Sequence, residues 1–259
     1  MDTTSIKHHH SLYLIGIGPG HADLRLPLAD ARLQGVTDIV GYDFYFPFVQ
    51  TKFTTQNYHA SELGSELDRA RLALDLAASG KATALISSGD VGIYAMAAVV
   101  YELLHRENNT NWQALSIEVV PGISAMQTLS ARVGAVLGHD FCAISLSDLL
   151  TPWQIIEKRL EAAATGDFVV SIYNPVSKKR HWQLEKAQSI LRAQRDASTP
   201  VAIGRNLGRV DERVEIIRLD ELRAGGLDML CIVIIGNSSS VAFDHNHTTK
   251  IYTPRGYQT

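Results

Sequence analysis

The chain has 259 residues, of which 46% are hydrophobic and 20% charged, with a formal net charge of −3. That length admits one large or two small domains with ample core, and the mildly acidic balance argues against a general nucleic-acid binder. Cys142 and Cys231, each inside an apolar run, are too few for a disulfide framework and read as buried thiols of a reducing compartment.

The first apolar run, 12–17, is β-leaning and too brief for a helix; it runs into the glycine-rich turn Gly16-Ile-Gly-Pro-Gly20. Gly16 and Gly18 fit the first two glycines of a dinucleotide loop, but His21 stands where the third belongs, and no Gly-Lys-Ser/Thr follows for a P-loop. The turn therefore marks a ligand edge without naming the ligand. Residues 24–33 predict a helix ending near Gly35, 38–41 a second strand, and 62–79 an amphipathic helix closed by Gly80. A strand at 82–87 ends in Ser88-Gly-Asp-Val-Gly-Ile-Tyr94, a helix spans 93–106, and a strand at 115–120 leads to Pro121-Gly122.

Pro121-Gly122 also reads as the domain junction, giving units 1–122 and 123–259. Beyond it come a helix at 124–133, a strand at 141–146, a helix at 152–164, a strand at 168–173 and a long helix at 178–195. Strands at 201–204, 213–217 and 231–236 close the second half, the first two near enough for a hairpin. The tail after Asn237 reads as peripheral. Strands alternating with helices predict two α/β domains, the first with a parallel helix-covered sheet and the second with a mixed one.

The loop around Asp90 is the most informative stretch. Gly89 and Gly92 free the backbone on both sides of a carboxylate, which either caps the following helix or faces a polar or cationic ligand. Lys178, Lys179 and Arg180 stand where a helix is predicted to begin, an unfavourable end for cations unless they gather anions there. Arg205, Arg209 and Arg213 form a second basic set, and both sets are equally consistent with solvated surface.

The ordered motifs Gly16-Ile-Gly-Pro-Gly20, Ser88-Gly-Asp-Val-Gly-Ile-Tyr94 and Val120-Pro-Gly-Ile-Ser-Ala125 resemble the tetrapyrrole (corrin/porphyrin) methyltransferases, which use S-adenosylmethionine. Ser145-Leu-Ser-Asp-Leu-Leu-Thr-Pro-Trp153, Ile172-Tyr-Asn-Pro-Val-Ser-Lys-Lys-Arg180 and Ile234-Ile-Gly-Asn237 are similar to the branch acting on carbon 17 of precorrin-3B, or its cobalt-containing counterpart, in vitamin B12 synthesis. The resemblance covers about residues 11–240 and implies a homodimer, no protein-bound metal, and an active site in an interdomain cleft. It implies that Pro19, Gly89, Asp90, Val91, Ile93, Ser124, Ala125, Tyr173, Asn174 and Ala202 contact the methyl donor, largely through backbone atoms. Gly18 and Gly20 would leave room for the macrocycle, with Lys178, Lys179, Arg180 and Arg205 as anchors for its carboxylates.

The chain departs from the family at His21, at Leu26 (where a hydroxyl is usual), at Val91 and at Val176, which replaces a common arginine. This branch is also associated with contraction of the macrocycle, which calls for a proton donor or acceptor. His139, Asp140 and Asp148 border strand ends and are the candidates, with no general base assigned. No apolar run reaches the roughly 18 residues of a membrane span and the start lacks a signal peptide's apolar core, so a cytoplasmic protein is expected. Residues 7–10, Lys-His-His-His, read as a leader or tag fragment rather than a metal site.

Overall fold

A computed structural model describes residues 12–178 and 180–257; the Lys-His-His-His segment and Lys179 lie outside the described residues. The chain divides after Ser124 into two compact units, two residues beyond the Pro121-Gly122 junction.

In the first unit the elements run β1 (Leu12–Gly16), α1 (Pro27–Gly35), β2 (Asp38–Tyr42), β3 (Asn57–Ser61), α2 (Glu66–Ala78), β4 (Thr83–Ser87), α3 (Met96–Glu107), α4 (Thr110–Gln113) and β5 (Ile117–Val120). The strands form one parallel sheet in the order β3-β2-β4-β1-β5. Side chains alternate across it, which explains the continuous apolar runs of the inner strands. Leu12, Leu14, Val40 and Leu85 pack on one face under α2, α3 and Trp112. Ile15, Ile39, Ala84 and Ile86 pack on the other with Ala29 and Leu33 of α1, Phe46 and Phe53. Full burial of each such Leu, Val, Ile or Phe side chain contributes about 1.5–3 kcal/mol.

Three boundaries differ from the sequence reading. α1 begins at Pro27 rather than residue 24, because residues 22–24 form a separate 3-10 turn and Pro27 suits a first helical turn. α2 starts at Glu66 and α3 at Met96, since Gly64 and Tyr94 hold positive φ angles that no helix accepts. β3 was not predicted. Its sequence, Asn-Tyr-His-Ala-Ser, has little apolar alternation, and as an edge strand it is held by its ladder to β2 and by His59 Nε2 at 2.7 Å from the Asp38 carboxylate.

The second unit contains α5 (Ala125–Val133), β6 (Gly134–Ala135), β7 (Phe141–Ser145), α6 (Trp153–Thr165), β8 (Val169–Tyr173), α7 (Trp182–Arg192), β9 (Pro200–Arg205), β10 (Arg213–Arg218), β11 (Cys231–Ile235), β12 (Val241–His245) and β13 (Thr248–Tyr252). Its main sheet has the order β10-β9-β11-β8-β7, with β7 and β8 parallel and the other pairs antiparallel, so it is mixed as expected. One face carries α6 and α7, joined by Ile144, Ile172, Leu184 and Val233; the other carries α5 through Leu129 and Val133.

The tail is more than peripheral. β12 and β13 form a hairpin whose two turn residues, Asn246 and His247, both have positive φ, the geometry of a type I′ turn. β13 pairs with β6, Ile251 is fully buried, and Thr253 Oγ1 donates to Val136 O at 2.7 Å. α7 starts at Trp182, so Lys178 and Arg180 precede the helix instead of opening it.

Candidate active site

In the first unit three loops leave the carboxyl ends of the adjacent strands β4, β1 and β5, and they meet backbone to backbone. Gly18 N donates to Gly89 O at 3.1 Å and Gly89 N returns a bond to Gly18 O at 2.7 Å. A Cβ on Gly16 would lie 2.7 Å from Gly89 O and 2.8 Å from Gly122 N; one on Gly122 would lie 2.1 Å from Gly89 O. Only glycine permits that approach at Gly16 and Gly122, and Gly18 and Gly89 also hold φ values of 75° and 70°. The openness of Gly16, expected to face a ligand, serves the packing of loop on loop.

Asp90 binds these loops together. Its Oδ1 accepts Gly92 N at 2.7 Å and its Oδ2 accepts Gly122 N at 2.9 Å. The carboxylate therefore neither caps α3, whose first residue is Met96, nor stands as a bare charge toward a ligand. Gly18, Pro19 and Gly20 are buried, whereas Gly89, Asp90 and Ile93 are half-buried on the loop. The Val91 side chain is fully buried in the core under α2 and α3, which leaves its backbone as the part available to a ligand. Ser124 is 2% exposed and ends this unit; Ala125 opens α5 in the next.

In the second unit the loops after β7 and β8 are the corresponding pair, and Arg180 joins them. Its Nη1 donates to Leu146 O at 2.9 Å and to Asn174 O at 2.7 Å, with Nε 3.7 Å from Asp148 Oδ1. Asn174, held at φ 49°, donates through Nδ2 to Ser145 Oγ at 3.0 Å. The Tyr173 hydroxyl accepts Met126 N at 3.4 Å. Arg180 is only 6% exposed, and burial pushes its pKa down while Asp148 pushes it up. The reading of Arg180 as a substrate anchor is corrected accordingly: its guanidinium is committed to two loop carbonyls. Lys178 is exposed beside it.

Two further expectations change. Ala202 lies mid-strand in β9, paired with Ile216 and Ile234 on either side and fully buried under α5, so its side chain is core and does not face a ligand. Arg205 directs Nε and Nη2 to Asp228 Oδ2 at 3.0 and 2.8 Å, and is an ion-paired rather than a free cation. His139 and Asp140 precede β7, at the end of the strand opposite Ser145, and both are exposed. Of the proton-transfer candidates only Asp148 follows that strand, and it accepts Gln183 Nε2 at 2.9 Å. Val176 is fully covered in the core with Leu184. The clasp centred on Arg180 was not foreseen; its sequence signal is one arginine six residues after Asn174, which does not by itself indicate direction.

The first unit thus presents a glycine-lined loop cluster at the carboxyl ends of β1, β4 and β5, and the second a clasped turn at Asn174. The profile of the tetrapyrrole (corrin/porphyrin) methylases matches residues 11–223, and the chain belongs to that family. It is 41% identical over 248 residues to the precorrin-3B C(17)-methyltransferase of Sinorhizobium sp, covering 95% of this chain and 97% of the relative. It is 40% identical over 248 residues to a probable cobalt-factor III C(17)-methyltransferase of Salmonella typhimurium, covering 95% and 99%. The crystal structure of the methyltransferase CobJ superposes with a TM-score of 0.86 at 37% identity, covering 94% of this chain and 99% of that one. Among the described residues no helix is long and apolar enough to cross a membrane.

Proposed function

We propose that the protein is an S-adenosylmethionine-dependent C-methyltransferase acting on carbon 17 of precorrin-3B or cobalt-factor III in cobalamin biosynthesis. The observation that carries this reading is the end-to-end match to relatives named for that reaction, 97% and 99% of whose lengths are covered. Those two relatives differ in the substrate named, so both tetrapyrroles belong in the test.

The residues present suit the methyl donor. Methyl transfer asks a protein for alignment and a water-poor wall more than for acid and base groups. The Gly89–Ile93 loop supplies backbone on a fixed trace, with the Asp90 carboxylate held in place by two backbone N–H groups. The donor, when bound, supplies an electrophilic methyl on a sulfonium. The chain's own part is to hold that loop rigid through Gly16, Gly18 and Gly122, with the Tyr173–Asn174 turn taking part from its own unit. Lys178, exposed on the Asn174 loop, suits the substrate's acetate and propionate groups.

Purified protein should bind S-adenosylhomocysteine by calorimetry. It should also transfer a labelled methyl group to precorrin-3B or cobalt-factor III, read as one added label by mass spectrometry of the product, with the same spectra reporting whether ring contraction follows. Label appearing on neither tetrapyrrole sinks the proposal. Label at another ring carbon moves the protein to a different branch of the family.

A further inference from the structure

Two buried arginines in the second unit look alike at first sight. Arg195 is 7% exposed and donates to Gly236 O at 2.7 Å, Phe168 O at 2.5 Å and Ala163 O at 3.3 Å. Ala163 and Phe168 lie around the end of α6 and the start of β8, so Arg195 ties the fold together at the amino end of that strand. Arg180 is 6% exposed and does its work at the other end of the same strand. A buried guanidinium is costly unless its donors are met, and here each meets backbone carbonyls, though Arg195 Nε has no hydrogen-bond partner of its own.

What Arg180 holds is specific. One nitrogen, Nη1, bridges the Leu146 and Asn174 carbonyls, one from each loop. Leu146 N donates to Tyr173 O at 3.0 Å, so the same two loops are also tied directly. Asn174 has a left-handed backbone, and its side chain is fixed by Ser145 Oγ. Its peptide carbonyl is the remaining freedom of that turn, and Arg180 removes it. The Arg180 backbone closes the arrangement by exchanging bonds with Ser177 at 2.9 and 3.1 Å, which returns the chain over the Asn174 turn.

We propose that Arg180 is a positioning residue for the methyl donor: by fixing the Asn174 peptide against the loop after β7, it sets the shape in which the Tyr173–Asn174 turn meets the ligand. It does not touch the substrate's carboxylates. This inference rests on the S-adenosylmethionine reading of the preceding section. It also accounts for the two motifs most characteristic of the branch, Ser145 to Trp153 and Tyr173 to Arg180, being joined by one side chain.

The test compares Arg180→Met, Arg180→Lys and Arg195→Met, with S-adenosylhomocysteine as the probe in calorimetry and melting temperatures recorded in parallel. Arg180→Met should weaken binding of the probe at least tenfold at a temperature where the variant is folded. Arg180→Lys, which keeps the charge on a shorter stem, should recover part of that loss. Millimolar methylguanidinium should restore binding to Arg180→Met. Arg195→Met should melt earlier yet bind the probe within twofold of the parent. Equal affinity of the parent and Arg180→Met overturns the proposal, as does equal weakening in the Arg195 variant. If Arg180→Met does not fold, Arg180→Lys decides alone: a threefold or greater weakening supports the proposal and parental affinity overturns it. A parent protein that binds no probe overturns the methyl-donor reading together with this one, whereas a binding parent with indifferent Arg180 variants overturns this one alone.

Discussion

Asp90 Oδ2 accepts the Gly122 N–H at 2.9 Å, so one carboxylate ties the loop after β4 to the loop after β5 while its other oxygen shapes its own turn through Gly92. Hydrogen bonds to a charged acceptor are worth about 1.5–3 kcal/mol each when buried, and less at this half-buried site. Asp90→Ala should therefore lower unfolding stability by about 2–3 kcal/mol and weaken S-adenosylhomocysteine binding at least tenfold. Asp90→Asn keeps one acceptor oxygen and should fall between. Denaturant melts and calorimetry check both; an alanine variant that binds like the parent removes Asp90 from the ligand loop's support.

The glycine contacts give a sharper stability test. At Gly122 an added Cβ would sit 2.1 Å from Gly89 O, and at Gly16 2.7 Å from the same oxygen; both neighbours are backbone and have no rotamer to yield. Gly122→Ala and Gly16→Ala should each cost about 3 kcal/mol or more, or fail to fold. Gly35, at the end of α1, has nothing within 4 Å of its added Cβ and no positive φ. Gly35→Ala should be neutral or stabilising by up to about 1 kcal/mol, since alanine loses less freedom in a helix. Thermal melts of the three variants check this, and a tolerated Gly122→Ala would show that the three loops are not held together there.

The contrast between Gly16 and Arg180 shows what the sequence could disclose. The inner strands of the first sheet are short, apolar and punctuated by glycine or proline turns, so their presence and parallel sense were legible, but not their order nor the polar edge strand β3, whose stability comes from its partner β2. The hairpin of β12 and β13 escaped notice because Asn246-His247 lacks the glycine that usually marks a type I′ turn. At the candidate site, motif order located loops at strand ends, but residue contacts depended on where side chains turn. Asp90 was legible as important, while its two backbone partners, one of them 32 residues away, were not. Arg180 read as a surface cation because a helix was expected to begin at residue 178; the turn at Ser177 moves that start to Trp182 and carries Arg180 inward. Ala202 shows what the resemblance alone could not disclose: the residue it puts near the ligand sits mid-ladder between Ile216 and Ile234 with its side chain in the core.

Glu212 gives a pH signature. Hydrogen bonding from Arg132, whose Nε lies 2.5 Å from Glu212 Oε1, holds its carboxyl below the usual glutamate value of 4.5; burial opposes this, and Gly208 N at 2.6 Å adds to it. The unfolded chain takes up a proton near the usual value and the folded chain only at lower pH. The stabilisation is thus complete above about pH 5 and is lost as pH falls through the folded-state pKa. Glu212→Gln should melt earlier than the parent by an amount equivalent to about 1 kcal/mol at pH 7, and the difference should narrow below pH 4.5. A constant difference down to pH 3 would assign the effect to packing instead of charge.

The two thiols make the last prediction. Burial pushes Cys231 up to about 11, with the neighbouring Asp228 carboxylate adding to it through the thiol contact at 3.4 Å; a backbone N–H from Asp228 and the charge of Arg205 act in the other direction. Burial likewise raises Cys142, against a smaller opposing effect of Arg195. The thiolate is the reactive species, and a thiol with a pKa near 11 is ionised to about one part in a thousand at pH 8. Cys231 is also buried on β11, where a reagent would have to enter a sheet to reach it. Native protein at pH 8 should therefore release little colour from a thiol-reactive disulfide over minutes, and two equivalents at once in denaturant. Asp228→Asn should speed labelling of Cys231 by lowering its pKa, with Cys142→Ser present so that only one thiol is counted. If Cys231 labels in the native parent at the rate of a free thiol, the Cys231 end of β11 opens readily and the Arg205–Asp228 pair does not close it.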